Sequence, residues 1–465
     1  MSVPRFAIVG HPNKGKSSIV ATLAEDDAVA ISPHPGTTTQ ARAYPMRLDG
    51  DTLYELIDTP GFQRARETLA WLEAHDRGAG ARAAVVREFV AAHSADKRFS
   101  DECELLKPIV AGAGILYVVD GSRPYGRQYE AEMEVLRWTG QPRMALINLI
   151  STGDHVEEWR AALAQYFSIV RTFDAVRADF GRRIDLLRSF GAIDESWAAP
   201  LTRATDALVA DRERRLRAAA VEIGDLLIDS LSTTVTVPLA GPDADAAALA
   251  NGRSKLQERV RRRERDSRRS VQEIYRHGAL AIDESAAPYL VVDVFSAQSF
   301  SVFGLSATQL AFTGAASGAV AGTVIDVALG GASLLLGAGI GAAVGAAGTL
   351  VGAGRLAKVR VLGQPVGGYE LRVGPITDLN LPWVLLGRAL LHAKLVAERN
   401  HARRDSLALD ARAGAHLADD IGSDRRRALE DVFRRLRNER GVNAADGSVL
   451  IETIGRLLES EAAAK

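Results

Sequence analysis

Lys16 and Ser17 close the run Gly10-His11-Pro12-Asn13-Lys14-Gly15-Lys16-Ser17, whose G-x-x-x-x-G-K-S spacing suits a backbone that must curl around a diphosphate. Gly10 and Gly15 allow dihedrals closed to other residues, so consecutive N–H groups can point at anionic oxygens. In such a loop Lys16 reaches the β- and γ-phosphates and the Ser17 hydroxyl holds magnesium. The expected phosphate-binding set is Gly10, His11, Pro12, Asn13, Lys14, Gly15, Lys16, Ser17 and Ser18. The apolar Phe6-Ala7-Ile8-Val9 precedes the loop, and Ile19, Val20 and Leu23 follow at helical spacing. The elements that position it are therefore a strand and a helix, whose N-terminus adds its positive dipole end.

Two further stretches supply chemistry to the same centre. Ile31 to Thr39 is punctuated by Pro33, Pro35 and Gly36 and reads as a mobile loop. A threonine there can bring its hydroxyl to magnesium and its backbone to the γ-phosphate; Thr38 is the candidate and Thr37 the alternative. The strand Leu53-Tyr54-Glu55-Leu56-Ile57 then delivers Asp58-Thr59-Pro60-Gly61. Asp58 sits where a strand-end carboxylate meets magnesium, and the Gly61 N–H can sense the γ-phosphate. The expected metal set is Ser17, Thr38 and Asp58, and the groups expected to act on the triphosphate are Lys16, Thr38 and Gly61. His11 and His34, lone histidines in loops, read as hydrogen-bonding residues.

The order G-H-P-N-K-G-K-S, P-G-T-T-T, D-T-P-G over residues 5 to about 175 resembles the Era- and TrmE-type GTPases. The remainder resembles a little-characterised bacterial group in which such a GTPase precedes a C-terminal domain of unknown function. The resemblance implies a parallel doubly wound α/β sheet that changes shape with nucleotide, GTP hydrolysis to GDP and phosphate, magnesium as cofactor, and Asn148 as a base contact. It also implies a potassium ion, with Asn13 as its ligand, because Phe62 stands where many switch GTPases carry a water-orienting glutamine. The chain departs from the pattern after its fifth expected strand, where N-K-x-D is replaced by Asn148-Leu149-Ile150-Ser151. That removes the carboxylate that accepts hydrogen bonds from guanine, so the base preference is open. Asp154 lies three residues late as a substitute, and Thr172-Phe173-Asp174-Ala175 matches the last base-contacting loop only through Ala175.

With 465 residues the chain has room for more than one domain, and its formal net charge of −1 gives no global pull toward nucleic acid or anionic lipid. Cys103 is the lone cysteine, which leaves no intramolecular disulfide or cysteine zinc site, and the first strand begins too early for a secretory leader. Later strands are expected at Gly114–Asp120, Met144–Asn148 and Ser168–Arg171. The stretch from 62 to 113 is longer than such a sheet needs and reads as a helical insert attached to the second switch, either an effector arm or a static lid. Arg64 and Arg66 follow that switch closely enough to be weighed for phosphate charge.

The expected division is a nucleotide domain over 1–190, a helical arm with a basic segment over 191–290, a Gly/Ala-rich apolar hairpin over 291–356, and a β-hairpin with C-terminal helices over 357–465. Leu201 to Leu231 recur as one long amphipathic helix that Thr233 to Pro242 terminates, and a linker through Gly252 follows. Arg253 to Arg276 then carries ten Lys or Arg against four acids, a solvated helix face or a surface for anionic lipid or RNA. Gly314, Gly318 and Gly322, then Gly337, Gly341 and Gly345, stripe an apolar run with Asp326 as its sole charge. Residues 302 to 354 are thus expected as a helical pair, in a membrane or buried in protein, and basic flanks place both ends on one face. The strands around Gly363 to Gly368 form a hairpin, and Trp383 to Leu409 and Leu429 to Leu436 read as amphipathic helices.

The combined expectation is a nucleotide switch coupled to a membrane-associated helical region at the cytoplasmic face of the inner membrane, with a cytoplasmic location as the alternative. Guanine nucleotide is the expected ligand, with a protein effector or a second copy as partner. Nucleic acid is not expected, for want of an RNA-binding module. The rival readings are a nucleotide-gated scaffold with negligible hydrolysis and a soluble RNA- or ribosome-associated GTPase.

Overall fold

The computed structural model describes residues 3–27, 29, 38–239, 245–278, 292–304, 356–361, 364–403, 421–437 and 444–459. They form two compact units. The first comprises Met1–Arg212 with Glu398–Arg404, and the second Glu213–Ala397 with Asp405–Lys465.

In the first unit β1 (Arg5–Val9) leads through the phosphate loop into α1 (Lys16–Ala24). β2 (Arg42–Leu48) and β3 (Asp51–Asp58) form a hairpin over Asp49-Gly50, both residues at positive φ. Three helices follow, α2 (Ala65–Ala74), α3 (Arg82–His93) and α4 (Ser100–Val110), which make up the expected insert. The sheet resumes with β4 (Gly114–Asp120), α5 (Glu130–Trp138), β5 (Arg143–Asn148), α6 (Val156–Leu163), β6 (Val170–Phe173) and α7 (Phe180–Gly191). The strand order is β2-β3-β1-β4-β5-β6, parallel except for β2 against β3. This is the doubly wound sheet expected, with one antiparallel edge that arises because β2 and β3 are joined by a tight turn too short for a crossover helix. β6 also starts at Val170, two residues beyond the expected Ser168.

Alternate residues of each strand face opposite sides, as the pleat requires. Ala7, Val9, Tyr117 and Val119 join a core with Phe62, Phe89, Leu106 and Leu136, while Phe6, Ile8, Leu116 and Val118 join another with Ile19, Val20, Leu187 and Phe190. The switch-point rule places a ligand outside the carboxyl ends of the strands, where the chain turns from β1 toward opposite edges of the sheet.

The second unit takes over within α8 (Glu195–Ser232), whose bounds follow the leucine spacing. Val235–Leu239 is β7, where a helix terminator alone had been expected; Val235 and Val237 with the intervening Thr236 carry the β-branched signal. α9 (Ala246–Ile274) begins inside the expected linker. The Asp245 side chain caps it by accepting the Ala248 N–H, and Gly252 lies in the helix at a point where any side chain would meet Val373. α10 (Ala297–Phe303), β8 (Leu356–Val361), β9 (Gln364–Val373), α11 (Leu381–Ala397), α12 (Ser423–Arg437) and α13 (Ala444–Glu459) complete it. β8 and β9 pair antiparallel, and with β7 they make a three-stranded sheet in the order β7-β9-β8.

Two expectations are corrected here. α11 stops at Ala397, before the expected Leu409, and it is not amphipathic: every residue from Leu381 to Ala393 is buried. The charge that such burial demands is matched within the unit, where Arg388 Nε donates to Glu264 Oε1 (2.7 Å) and Nη1 to Ser299 Oγ (2.8 Å). The basic run on α9 is likewise partly neutralised, by Arg263 with Glu222 and Asp229, Arg261 with Asp293, and Arg265 with Glu258. Phe303, near the expected start of the glycine-striped pair, is buried in the core of this unit, and α10 ends there. The rest of that pair lies outside the described residues. No helix among the described residues is long and apolar enough to cross a membrane.

Candidate functional site: a nucleotide cleft at the strand ends

The loop after β1 has the shape its residue types require. Gly15 has φ +78°, and a Cβ there would run into the Asn148 side chain. Asn13 also lies in the left-handed region, φ 59°, which asparagine tolerates better than most residues. The Lys16 ammonium folds back on the loop, donating to the carbonyls of Gly10 (3.2 Å) and His11 (3.1 Å). Burial lowers its pKa to about 8, although Asp58 and Glu132 pull the other way.

Ser17, Thr38 and Asp58 meet at one point. Ser17 Oγ donates to Asp58 Oδ2 (2.8 Å), and Thr38 Oγ1 donates to the same oxygen (3.0 Å). Asp58 is buried, and its other oxygen, Oδ1, has no hydrogen-bond partner. Burial raises its pKa, against the hydroxyls, the Lys16 charge and the Thr59 N–H. A buried carboxylate oxygen without a donor is costly, and two hydroxyls beside it complete an all-oxygen set of the kind magnesium takes. The donor set therefore fits the ion. Thr37, Gly36 and His34 lie outside the described residues.

Other expected residues take separate places. His11 Nδ1 is 2.9 Å from Glu132 Oε1, and the Tyr117 hydroxyl donates to Glu132 Oε2 (3.0 Å), so the imidazole is tied to the helix behind the loop. The Lys14 side chain turns away toward Asp120 Oδ2 (3.7 Å) and the Tyr129 ring, leaving only its backbone to the cleft. Ser18 is half-buried in the first turn of α1, beside Ser17. Gly61 packs on the loop so closely that a Cβ would lie 2.6 Å from Pro12 N, and the Phe62 N–H donates to the Gly10 carbonyl (3.3 Å). The Phe62 ring is buried in the insert's core. Arg64 pairs with Glu67 (2.8 Å) and Arg66 is exposed.

α4 of the insert holds the segments that follow Thr38 and Gly61. Glu102 is fully buried, and its Oε1 accepts the Gln63 (2.8 Å) and Arg64 (2.6 Å) N–H groups at the start of α2. Glu104 Oε2 accepts the Ala41 N–H (3.3 Å) beyond Thr38. The sequence reading had missed both carboxylates, as well as Glu132 and Asp120. Only Asp120 had a legible signal, its place at the carboxyl end of a strand.

At the base end Asn148 is buried. Its Nδ2 donates to the Lys14 carbonyl (3.1 Å) and its Oδ1 accepts the Ala175 N–H (3.1 Å). Ile150 is half exposed beside it, and Ser151 is exposed where the aspartate was expected. Asp154, three residues further on, is exposed, and its Oδ1 accepts the Val156 N–H at the start of α6 (3.3 Å).

Residues 160–449 match the family model described as a domain of unknown function, DUF3482, and residues 5–148 match that of the 50S ribosome-binding GTPase. Among curated proteins, GTPase Der of Mycoplasma pneumoniae is 32% identical over 126 residues, 27% of this chain and 22% of its own length. GTPase Der of Pseudothermotoga lettingae is 24% identical over 197 residues, 42% and 40% of the respective chains. The chain thus spans less than half the length of either relative. Among solved structures, Era in complex with MgGDPNP and a 16S ribosomal RNA segment matches with TM-score 0.27 and 20% identity over 38% of this chain and 52% of that one. Era from Aquifex aeolicus bound to GDP.AlF4- gives 0.28 and 16%, covering 59% and 90%.

Proposed function

The chain belongs to the DUF3482 family and carries a P-loop GTPase domain ahead of it, and from that premise we propose that it hydrolyses GTP to GDP and phosphate and uses the bound nucleotide as a switch. The observation that carries this reading is the meeting of Ser17, Thr38 and the unpartnered Asp58 oxygen beside Lys16. Ser17, Thr38 and Asp58 would hold magnesium, which supplies charge neutralisation at the β- and γ-phosphate oxygens. Lys16 exchanges its two loop carbonyls for phosphate oxygens, and the loop amides take the rest. A γ-phosphate that draws Thr38 and the Gly61 N–H inward would pull on α4 through Ala41–Glu104 and through Gln63 and Arg64 on Glu102. With Phe62 buried, no side chain at that position orients water. A potassium ion at Asn13 is the reading for the missing electrophile.

The test is phosphate release from GTP by the full chain with magnesium, in potassium against sodium. Magnesium-dependent turnover that Asp58→Asn abolishes is expected; tight binding with no turnover in either salt selects the nucleotide-gated scaffold instead. Equal rates in the two salts would remove potassium from Asn13.

For the segment from 305 to 354 the proposal is a hairpin at the cytoplasmic face of a membrane, supported by the basic residues on both flanks. Fractionation with carbonate and high-salt washes, and with ribonuclease in parallel, checks it. Protein that stays with vesicles fits the proposal, whereas protein that leaves the pellet on ribonuclease treatment would point to the ribosomal partner named by the GTPase family model.

A further inference from the structure

We propose that Asn400, far along the chain from the nucleotide motifs, is a positioning residue for the base-contacting loop: through Thr22, Ala175 and Ala178 it holds the backbone against which the nucleobase lies. The inference rests on the proposed nucleotide site and adds a determinant to it.

The base loop needs outside support. It follows β6, a four-residue edge strand paired on one side only, to β5. Its own bonds are local: Asp174 Oδ1 accepts the Val176 and Arg177 N–H groups (3.0 Å each), and the Asp174 carbonyl accepts that of Ala178 (2.8 Å). Side chains on two sides tie this turn to the rest of the unit. On one side Asn148 accepts the Ala175 N–H.

On the other side stands Asn400, itself buried. Its Nδ2 donates to the Ala178 carbonyl (3.2 Å), and its Oδ1 lies 2.7 Å from the Thr22 hydroxyl, which in turn lies 2.7 Å from the Ala175 carbonyl. The Ala402 N–H donates to the same Oδ1 (2.9 Å), which assigns the oxygen end of the amide to that side. Thr22 is fully buried on α1, the helix that begins at Lys16, and its single hydroxyl proton serves one of these two oxygens at a time, so through it the phosphate helix meets both the base loop and Asn400. The segment that carries Asn400 is held at two further points: Ala402 lies in the same apolar core as Ala175 and Ala178, and His401 Nδ1 is 2.8 Å from Asp27 Oδ1. A buried amide held at both its nitrogen and its oxygen is fixed in orientation, and removing it leaves buried partners without their bonds.

The test measures base-dependent and base-independent binding side by side in the full chain. Asn400→Ala should weaken GDP affinity and raise KM for GTP about tenfold, with kcat unchanged. Competition by inorganic tripolyphosphate, which touches only the phosphate loop, should not change. Asn400→Asp is nearly isosteric but turns the Ala178 donor into an acceptor, so it should behave like the alanine variant, whereas a mere packing role would tolerate it. If Asn400→Ala fails to fold, Thr22→Val, which deletes the bridging hydroxyl at constant shape, must show the same split between GTP and tripolyphosphate. Wild-type affinity for GTP in these variants, or equal losses for GTP and tripolyphosphate, would overturn the proposal. A parent protein that binds neither ligand would instead overturn the nucleotide site itself.

Discussion

At the phosphate end of the cleft all the groups come from one stretch of chain between Gly10 and Gly61; at the base end Thr22, Asn148, Ala175 and Asn400 come from four separate places. The phosphate end leaves polar capacity open, in the unpartnered oxygen of Asp58 and in a lysine whose pKa burial has lowered. At the base end the Asn148 and Asn400 amides both bond to protein backbone, Asn148 to Lys14 and Ala175 and Asn400 to Ala178. At the loop the donors rest on groups that a ligand could replace, Lys16 on two loop carbonyls and the Ser17 and Thr38 hydroxyls on one oxygen of Asp58. A loop that must present one flat surface can have its backbone fixed from behind, and the residues that fix it can come from anywhere that reaches it.

If that contrast is right, damage to the two ends should differ in kind. The largest effect is expected for Lys16→Ala, which should weaken GTP and ATP alike by about a hundredfold or more, the scale of losing one partner of a desolvated charge pair. Titration with fluorescent nucleotides reads it, and unchanged affinity for both would remove Lys16 from the phosphates. Ser151→Asp should act only at the other end: a carboxylate at the position of the missing acceptor should raise the preference for GTP over ATP by about tenfold to a hundredfold. If competition shows no gain, the base does not lie against residues 148–151.

The depressed pKa of Lys16 gives a smaller effect with a definite sign. The free protein loses the Lys16 proton near pH 8, while bound phosphate favours the ammonium, so binding above that pH takes up a proton. GDP affinity should therefore be flat below about pH 8 and fall by at most about tenfold per pH unit above it; a rise with pH would contradict the assignment. Smallest at the nucleotide is Glu102→Ala. It should leave GDP affinity within about twofold while freeing the Gln63 and Arg64 amides, at a local cost of about 1–3 kcal/mol. Hydrogen exchange at residues 62–66 should speed up accordingly, and protection equal to the parent's would mean that α4 does not hold the switch.

The phosphate end was legible because its chemistry is local. Loop geometry needs Gly10 and Gly15 at a fixed spacing, magnesium needs oxygen ligands such as Ser17 in the first turn of α1 and Asp58 at the end of β3, and both demands are written as short motifs. The apolar periods likewise located β1, β3, β4 and β5. Where the sequence reading went astray, packing had overridden a local signal. Gly252 looked like a linker residue but lies in α9 at a point where Val373 leaves no room for a side chain, and α11 looked one-sided until its neighbours were seen to enclose it.

What the residues point to by themselves is thus a phosphate-loop sequence between a strand and a helix, the grouping of Ser17, Thr38 and Asp58, and a serine at position 151 where the family pattern has aspartate. What only the tertiary structure decides is how the remaining polar groups are satisfied. Glu102 on the switch, Glu132 behind His11 and Asn400 on the base loop carry no motif, since a buried carboxylate or amide is specified only by the backbone groups that folding brings to it. Sequence spacing encodes contacts within one element or between adjacent ones; a hydrogen bond between Thr22 and Asn400, 378 residues apart, exists only after the chain has closed on itself.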